Sequence, residues 1–336
     1  MKPYIIAELA QGFEGSPSQA RLLVRAAARA GADAAKLQLV YADELATPDY
    51  EHYALFSQLE MPDEEWQALA ELARSEGIAL QLDIFGPRSL DLAQRIGAQA
   101  VKIHSTDMSN PGLLAAVAAS AAPEVLLSAG GCSLAEVDEA LGIIGDKPVV
   151  LLLGFQGYPT VREANQVRRV THVAERYAKR PRTRIGFADH ADPNDPLALA
   201  IPAAALGAGA TVFEKHLTLA KALKLEDHEA ALNPDEFAQF AQALRGTAEA
   251  IGAVDESDAF LGMHETEKVY RQKTRKHVVM ANGVAAGATL TAQDALLKRS
   301  TSKTPIYDAR LAIGRRLKRA LPAGAAVSAS DLEDAS

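Results

Sequence analysis

The sequence reads Ile185-Gly186-Phe187-Ala188-Asp189-His190-Ala191 at one point and Val212-Phe213-Glu214-Lys215-His216-Leu217-Thr218 a little further on. Each stretch is a short apolar run that leads into acidic and imidazole side chains. Such a run predicts a buried strand whose carboxyl end carries groups able to bind a metal or to move a proton. Parallel α/β enzymes keep their chemistry at those strand ends. We therefore expect an α/β fold organised around two histidine-bearing strands.

The same alternation between short apolar runs and longer amphipathic segments extends over most of the chain. The predicted strands cover residues 4–7, 35–38, 78–82, 100–103, 124–127, 148–153, 184–187 and 211–213. A helix follows each strand, residues 162–178 being one of them, and residues 41–61 are expected to form a long loop. Eight such units predict a (β/α)8 TIM barrel over residues 1–255. A doubly wound open sheet is the alternative.

The pattern changes after the predicted barrel. Residues 256–275 are polar without a clear strand period, so we expect a linker with room for a helix. From Lys276 onward short β runs alternate with glycine turns, which predicts a small β-rich domain over residues 276–336. A domain of this size is near the lower limit for independent stability, so we expect it to pack against the barrel or a partner chain.

Composition narrows the class of protein. The formal net charge of −8 argues against nucleic acid as the main partner, because a phosphate backbone requires a clustered positive surface. Cys132 is the only cysteine, which excludes a disulfide within the chain and favours a reducing compartment. The start of the sequence lacks the apolar core of a signal peptide, and no apolar run is long enough to span a bilayer. We expect a soluble cytoplasmic protein without a membrane partner.

Polar or ionisable residues occur at the carboxyl end of every predicted strand. In chain order they are Glu8, Lys36, Gln38, Asp83, Lys102, His104, Ser105, Asp107, Ser128, Gln156, Tyr158, Asp189, His190, Glu214, Lys215 and His216. The carboxyl ends of barrel strands form one rim, and barrel enzymes build their active sites there. The sequence therefore predicts an active site lined by several of these side chains.

His190 and His216 lie on neighbouring predicted strands, so their imidazoles could converge on one divalent cation. Two histidines without a thiolate suit Mn, Fe, Co or Zn rather than Ca. The alternative is that each is a buried, hydrogen-bonded histidine. The neighbouring carboxylates of Asp189 and Glu214 favour the metal site, because metal-binding histidines need acceptors for their second nitrogen.

Lys36 and Lys102 follow apolar strand residues and are expected to point into the barrel mouth. A buried lysine without an anionic partner is costly, so each is expected to meet a negative charge. That charge is either the phosphate or carboxylate of a ligand, or the side chain of Glu8 or Asp107. The sequence leaves both alternatives open.

Other groups could complete a ligand site at the same rim. The hydroxyls of Ser105 and Ser128 could add donors to an oxyanion held by the lysines. Asp227 lies in a polar loop after the eighth strand, where a substrate ligand is plausible. A surface loop acid is the commoner alternative for Asp227.

With these residues assembled, the chain resembles the sialic acid synthase family, whose members condense phosphoenolpyruvate with N-acyl sugars. The matching segments are Ile6-Ala7-Glu8, Gly31-Ala32-Asp33-Ala34-Ala35-Lys36-Leu37-Gln38, Val101-Lys102-Ile103-His104-Ser105, Leu127-Ser128-Ala129-Gly130, Tyr158-Pro159-Thr160, Gly186-Phe187-Ala188-Asp189-His190, Glu214-Lys215-His216-Leu217-Thr218, Asp227-His228 and Leu232-Asn233-Pro234-Asp235-Glu236-Phe237. The C-terminal part resembles that family's antifreeze-like (SAF) domain through Gly287-Ala288-Thr289-Leu290-Thr291-Ala292-Gln293-Asp294, Lys298-Arg299 and Ile313-Gly314-Arg315.

The resemblance implies a role for each matching residue. The metal, Mn²⁺ or Mg²⁺, is expected on His190 and His216, which with Glu8 and Asp189 form the expected catalytic set. Phosphoenolpyruvate is expected on Lys36, Lys102, Ser105 and Ser128. The N-acyl amino sugar is expected on Gln38, Asp107, Gln156, Tyr158, Asp227 and Arg299. Arg299 matches an arginine that reaches into the partner subunit, so the resemblance also implies a domain-swapped homodimer.

The chain departs from the family pattern at several positions. Asp83 stands where the family has Thr or Ser, and Ala188 stands where it has Ser. The predicted product is a sialic-acid-type nonulosonic acid formed with release of phosphate. The alternatives are a related barrel synthase or metal aldolase acting on another sugar aldehyde, and a sugar-acid binding protein that has lost its activity.

Overall fold

The computed structural model describes residues 2–155, 157, 159–253 and 262–333. The chain forms two compact units, Met1–Gly252 and Ala253–Ser336. Within the described ranges, no helix is long and apolar enough to cross a bilayer.

The first unit is a closed barrel of parallel strands surrounded by helices. Strands β1 to β8 span Tyr4–Ala10, Ala34–Gln38, Ala79–Ile84, Ala100–Ile103, Val125–Ser128, Val149–Gly154, Thr183–Asp189 and Val212–His216. Helices α1 to α10 span Pro17–Arg29, Ala42–Leu45, Tyr53–Leu59, Asp63–Ser75, Pro87–Arg95, Pro111–Ala119, Leu134–Ile144, Arg168–Arg176, Ala200–Gly207 and Pro234–Ile251. Strand β1 pairs in parallel with both β2 and β8, which closes the sheet. The predicted (β/α)8 TIM barrel is confirmed, and the open sheet is excluded because it would leave unpaired edge strands.

Alternate residues of each strand point into the barrel and out toward the helices. The interior contains a small apolar cluster of Ile6, Ala34, Ala100, Leu126, Val150, Leu152 and Val212. Gly186 leaves room for one of these side chains, because an added Cβ there would lie 2.6 Å from Cδ2 of Leu152. The residues two positions further along β1, β2, β4 and β8 therefore also face inward, at the carboxyl end of the barrel. These are Glu8, Lys36, Lys102 and Glu214.

Residues 41–61 are not a structureless loop, which corrects the prediction. They contain the short helices α2 and α3. The first is held by a distant contact: the carboxylate of Glu44 accepts hydrogen bonds from the backbone N–H groups of Arg88 and Ser89 at the start of α5. When the free N–H groups at a helix start are bonded by a carboxylate from a distant segment, the sequence around that carboxylate carries no pattern that predicts the contact.

The single helix predicted over residues 162–178 is also wrong. A 3₁₀ turn at Arg162–Ala164 is followed by helix α8, which starts at Arg168. Between them, the side-chain amide of Asn165 donates to the carbonyls of Val161 and Arg162, and Gln166 adopts a φ of 42°. The asparagine amide bonds to backbone acceptors that a continuous helix would use itself, which ends the turn.

The second unit is small and rich in β structure. Strands β9 (His277–Met280) and β10 (Ala295–Lys298) pair antiparallel, and helix α11 (Glu265–Thr274) precedes them. Isolated bridges such as Val284 to Leu321 add to the β structure, around a core that includes Val278 and Leu317. Helix α11 occupies part of the expected linker, whose first residues lie outside the described ranges.

Candidate active site

A group of five buried ionisable side chains fills the carboxyl end of the barrel. We call it the mouth cluster, and its members are Glu8, Lys36, Asp83, Lys102 and Glu214. Each residue is at most 6% exposed. Strand register explains the grouping, because Glu8 pairs with Lys36 across β1 and β2, and Asp83 pairs with Lys102 across β3 and β4.

Lys36 lies between the three carboxylates of the mouth cluster. Its Nζ forms a short ion pair with Glu8 and lies 2.6 Å from Oδ1 of Asp83. The same nitrogen is 3.5 Å from Oε2 of Glu214. The side chain of Lys36 is 0% exposed, so its charge is balanced inside the protein.

Lys102 bridges the same three acids from the opposite side. Its Nζ lies 2.9 Å from Oε1 of Glu214 and 3.5 Å from Oδ2 of Asp83. It is 3.6 Å from Oε2 of Glu8. Both lysines thus pair with protein carboxylates, Glu8 among them. Asp107, the other partner considered, instead accepts a hydrogen bond from the Asn110 side chain at 3.1 Å.

The acids of the mouth cluster differ in their affinity for protons. Burial raises the pKa of Glu8 to about 7, a rise that Lys36 opposes and that Asp83 and Glu214 reinforce. Burial acts in the same direction on Glu214, but Lys102 and Lys36 outweigh it and hold the pKa of Glu214 well below its usual range. Glu8 is therefore the carboxyl of this pair suited to exchanging a proton near neutral pH, while Glu214 stays ionised.

His190 and His216 lie next to the mouth cluster with their ring centroids 5.3 Å apart. The Nδ1 of His190 is 2.8 Å from the backbone carbonyl oxygen of Phe155, a contact that requires Nδ1 to carry the proton. Burial lowers the pKa of His190 to about 4. Burial, followed by the charge of His190, lowers the pKa of His216 well below its usual value. Both imidazoles are therefore neutral at physiological pH, as metal ligands must be.

The histidine pair fits a divalent metal held by two protein nitrogens. The contact of His190 Nδ1 with a carbonyl is the arrangement that orients Nε2 toward a metal. Oδ2 of Asp227 lies 3.9 Å from Nδ1 of His216. Across the described part of the chain, no group of three or more His, Cys, Asp or Glu side chains is arranged to hold a metal ion. Substrate or water oxygens would have to complete the coordination.

Asp189, expected in the catalytic set, lies on the other face of its strand. In the register of β7 and β8 it pairs with Lys215, whereas Ala188 pairs with the inward-facing Glu214. Its Oδ1 accepts from the backbone N–H of Ala191 at 2.9 Å, and its Oδ2 is 3.5 Å from Nζ of Lys215. These contacts hold the turn after His190 on the helix-facing side of the strand, and the catalytic role of Asp189 stays a prediction.

The remaining predicted site residues have separate environments. Ser128 is buried at the end of β5, and Ser105 begins a 3₁₀ turn after β4. The amide of Gln38 accepts a hydrogen bond from the Gln11 side chain at 2.8 Å. Burial, with the nearby charges of Glu226 and Glu229, raises the pKa of Asp227 to about 6. In the second unit, Arg299 donates to the carbonyl of Thr274. Gln156 and Tyr158 lie outside the described residues.

Two residues at this end of the barrel, Asp83 and His104, were not assigned a role from the sequence. Asp83 shares the inward face with the lysines and with Glu214, and the two-residue alternation of strands could have placed it there. His104 lies two positions after Lys102, and burial together with the Lys102 charge lowers its pKa. Its Nδ1 lies 3.1 Å from the hydroxyl of Thr106, within the turn that follows β4.

A closed (β/α)8 barrel with paired lysines, carboxylates and histidines at the carboxyl ends of its strands has the architecture of a barrel enzyme. The chain belongs to the NeuB family, whose model matches residues 23–256. This membership confirms the resemblance to the synthase family drawn from the barrel motifs.

Relatives and solved structures agree with this membership. The chain is 28% identical over 347 residues to the N,N'-diacetyllegionaminic acid synthase of Legionella pneumophila, covering 96% of this chain and 93% of that protein. Its fold matches a putative spore coat polysaccharide biosynthesis protein E from Chromobacterium violaceum with a TM-score of 0.82, at 25% identity, over 99% of this chain and 100% of the other. It also matches an N-acetylneuraminic acid synthetase from Leptospira borgpetersenii, with a TM-score of 0.71 at 27% identity, over 82% and 93% of the two chains.

Proposed function

We propose that this protein condenses phosphoenolpyruvate with an N-acyl amino sugar resembling N-acetylmannosamine. The products are a sialic-acid-type nonulosonic acid and inorganic phosphate. The observation that carries the proposal is the buried pair Lys36 and Lys102, next to two neutral histidines, in a barrel of the NeuB family. The relatives named as legionaminic and N-acetylneuraminic acid synthases support this reaction class.

The lysines supply the positive charge for phosphoenolpyruvate, which carries a phosphate and a carboxylate. Lys102 is the more accessible of the two, with its side chain 8% exposed against 0% for Lys36. The hydroxyls of Ser105 and Ser128 add uncharged donors at neighbouring strand ends. Holding the anion in one orientation turns a reaction between two dissolved substrates into one between positioned groups.

The imidazoles of His190 and His216 would hold the metal, for which Mn²⁺ or Mg²⁺ is our proposal. Bound there, it would supply Lewis-acid polarisation of the aldehyde of the open-chain sugar. The protein's own contribution is to keep both imidazoles neutral by burial and to orient His190 through the Phe155 carbonyl. Gln38, Asp107 and Asp227, with Gln156 and Tyr158, are proposed to hold the sugar.

The methylene carbon of phosphoenolpyruvate forms a bond to the aldehyde carbon, and the aldehyde oxygen gains a proton to become a hydroxyl. Water adds at the enol carbon and loses its two protons, one of which balances the proton taken by the aldehyde oxygen. The bond from the enol carbon to the phosphate oxygen breaks, which leaves a ketone and releases phosphate. We propose Glu8 as a group that holds or moves a proton during these steps, since its pKa of about 7 permits both states near neutral pH.

The second unit is proposed to act across a dimer. Its Arg299 would contact the sugar in the partner's barrel, in a domain-swapped homodimer. The second unit would be an SAF-type domain, and the protein would work in the cytoplasm.

The experiment is phosphate release from phosphoenolpyruvate and N-acetylmannosamine in the presence of Mn²⁺. We expect release only when both substrates are present, and we expect His190→Ala to abolish it. His172→Ala is the matched control, because His172 is an exposed histidine on α8. Preference for an unacylated sugar phosphate would instead support a related synthase or aldolase. Substrate binding without turnover under any metal would support a binding protein.

A further inference from the structure

Asp83 is an acid of the mouth cluster whose ion pairs, within the described ranges, are with the two lysines, as they also are for Glu214. It is 0% exposed and lies near the end of β3. Its Oδ1 lies 2.6 Å from Nζ of Lys36, and its Oδ2 lies 3.5 Å from Nζ of Lys102. Within the described ranges, Oδ2 accepts no hydrogen bond.

The other two acids are placed differently. Glu8 also accepts a hydrogen bond from the backbone N–H of Ala10 at 2.9 Å, so it supports the end of β1. Glu214 accepts a hydrogen bond from Lys102 at 2.9 Å and lies two residues before His216 on the same face. Among the described residues, the Asp83 carboxylate accepts no backbone hydrogen bond, and its strand carries no histidine.

The charges of the mouth cluster make Asp83 significant. Three carboxyl groups contact two ammonium groups in this cluster, so the lysines already have anionic partners before a ligand arrives. An incoming phosphate must share lysines that Asp83 contacts, and it must also approach a buried carboxylate of its own sign. Two negative charges a few ångströms apart repel strongly in a site that is shielded from water.

We propose that Asp83 sets the anion affinity of this site by competing with the phosphate-bearing substrate for Lys36 and Lys102. The competition weakens the binding of phosphoenolpyruvate, and it weakens the binding of product phosphate in the same way, which speeds its release. This inference rests on the proposed function in taking phosphoenolpyruvate as the ligand, but its electrostatic basis applies to any phosphate-bearing anion.

The test is direct binding of phosphoenolpyruvate, and separately of inorganic phosphate, to the wild-type protein and to Asp83→Asn. Isothermal titration calorimetry at one fixed Mg²⁺ concentration and pH gives both dissociation constants. Asparagine keeps the size of the side chain and removes its charge, so we expect both anions to bind roughly tenfold more tightly or better. Asp83→Glu keeps the charge and should not tighten binding. Asp146→Asn, at an exposed position, makes the same change in net charge and should leave both constants unchanged.

Equal or weaker anion binding by a folded Asp83→Asn protein would overturn the inference and assign Asp83 to orienting the lysines. Thermal unfolding shows whether the variant is folded, and Asp83→Thr serves in its place if it is not. In the active enzyme, the KM for phosphoenolpyruvate should fall while the KM for the sugar stays the same, a split that a general loss of stability cannot produce. If both anions bind and Asp83→Asn tightens them but no sugar is turned over, the proposed reaction fails and this inference stands. If no variant binds either anion, both fail.

Discussion

At the scale of single residues, Lys36 is the buried charge on which the barrel mouth depends. Replacing it with methionine keeps the length of the side chain but leaves Glu8, Asp83 and Glu214 with Lys102 as their remaining partner in the cluster. Breaking a buried ion pair from one side is strongly destabilising, so Lys36→Met should lower the free energy of unfolding by about 3–5 kcal/mol. Urea unfolding followed by circular dichroism measures this change.

The control for Lys36→Met is an exposed lysine paired with an acid. Lys2, whose side chain is 71% exposed, lies 3.5 Å from Asp33, and such pairs contribute about 0–1 kcal/mol. Lys2→Met should therefore have little effect. Equal losses for the two variants would contradict the importance given to the mouth cluster.

Glu8 makes stability depend on pH in a predictable direction. Its pKa is about 7 in the folded protein against an ordinary value of 4.5, so between these values the folded state keeps a proton that the unfolded chain has lost. The contribution of Glu8 is therefore fully present below pH 4.5 and is lost as the pH rises through about 7. Glu8→Gln removes this titration, and its stability relative to the wild type should increase between pH 5 and pH 8. Urea unfolding of both proteins at several pH values tests this prediction. A difference in the free energy of unfolding that stays constant from pH 5 to pH 8 would contradict it.

At the scale of elements, the turn after β1 is packed tightly against the end of α3. Gly15 has a φ of +72°, and a Cβ at that position would lie 2.0 Å from the carbonyl oxygen of Gln58. Gly77 has a φ of +78° but no atom within 4 Å of the added Cβ. Gly77→Ala should therefore lower the free energy of unfolding by about 1–2 kcal/mol, because alanine is strained in the left-handed conformation. Gly15→Ala should lower it by about 1–3 kcal/mol more, because its Cβ also clashes with the Gln58 carbonyl. Thermal unfolding of both variants compares them, and similar losses would refute the close packing.

The elements also show which local features the sequence could predict. Helices were expected between the predicted strands and after the last one, and α4, α5, α6 and α10 lie there, each beginning at a proline or an acidic residue. Helix α2 and the interruption before α8 escaped prediction. The first depends on a carboxylate that caps a distant helix, and the second depends on one asparagine amide.

At the scale of the whole molecule, the alternation of strands and helices predicted the barrel but not its closure. Closure is the pairing of β1 with β8, and the pairing residues are far apart in the sequence. The same holds for the site. The strand ends predicted that ionisable groups meet at one rim, whereas the sequence left open whether the lysines pair with Glu8 or await a ligand. That choice depends on distances across the barrel, and side-chain direction also separates Asp189 from His190.

The central claim is that this barrel joins phosphoenolpyruvate to an N-acyl amino sugar. Its most direct test is to incubate the protein with phosphoenolpyruvate, Mn²⁺ and a panel of candidate sugars, and to measure the mass of any product. The panel contains N-acetylmannosamine, di-N-acetylated amino sugars and unacylated sugar phosphates. We expect a nonulosonic acid, with an equal amount of phosphate, from at least one N-acylated member and from no unacylated one. The absence of product from every sugar in the panel would contradict the claim.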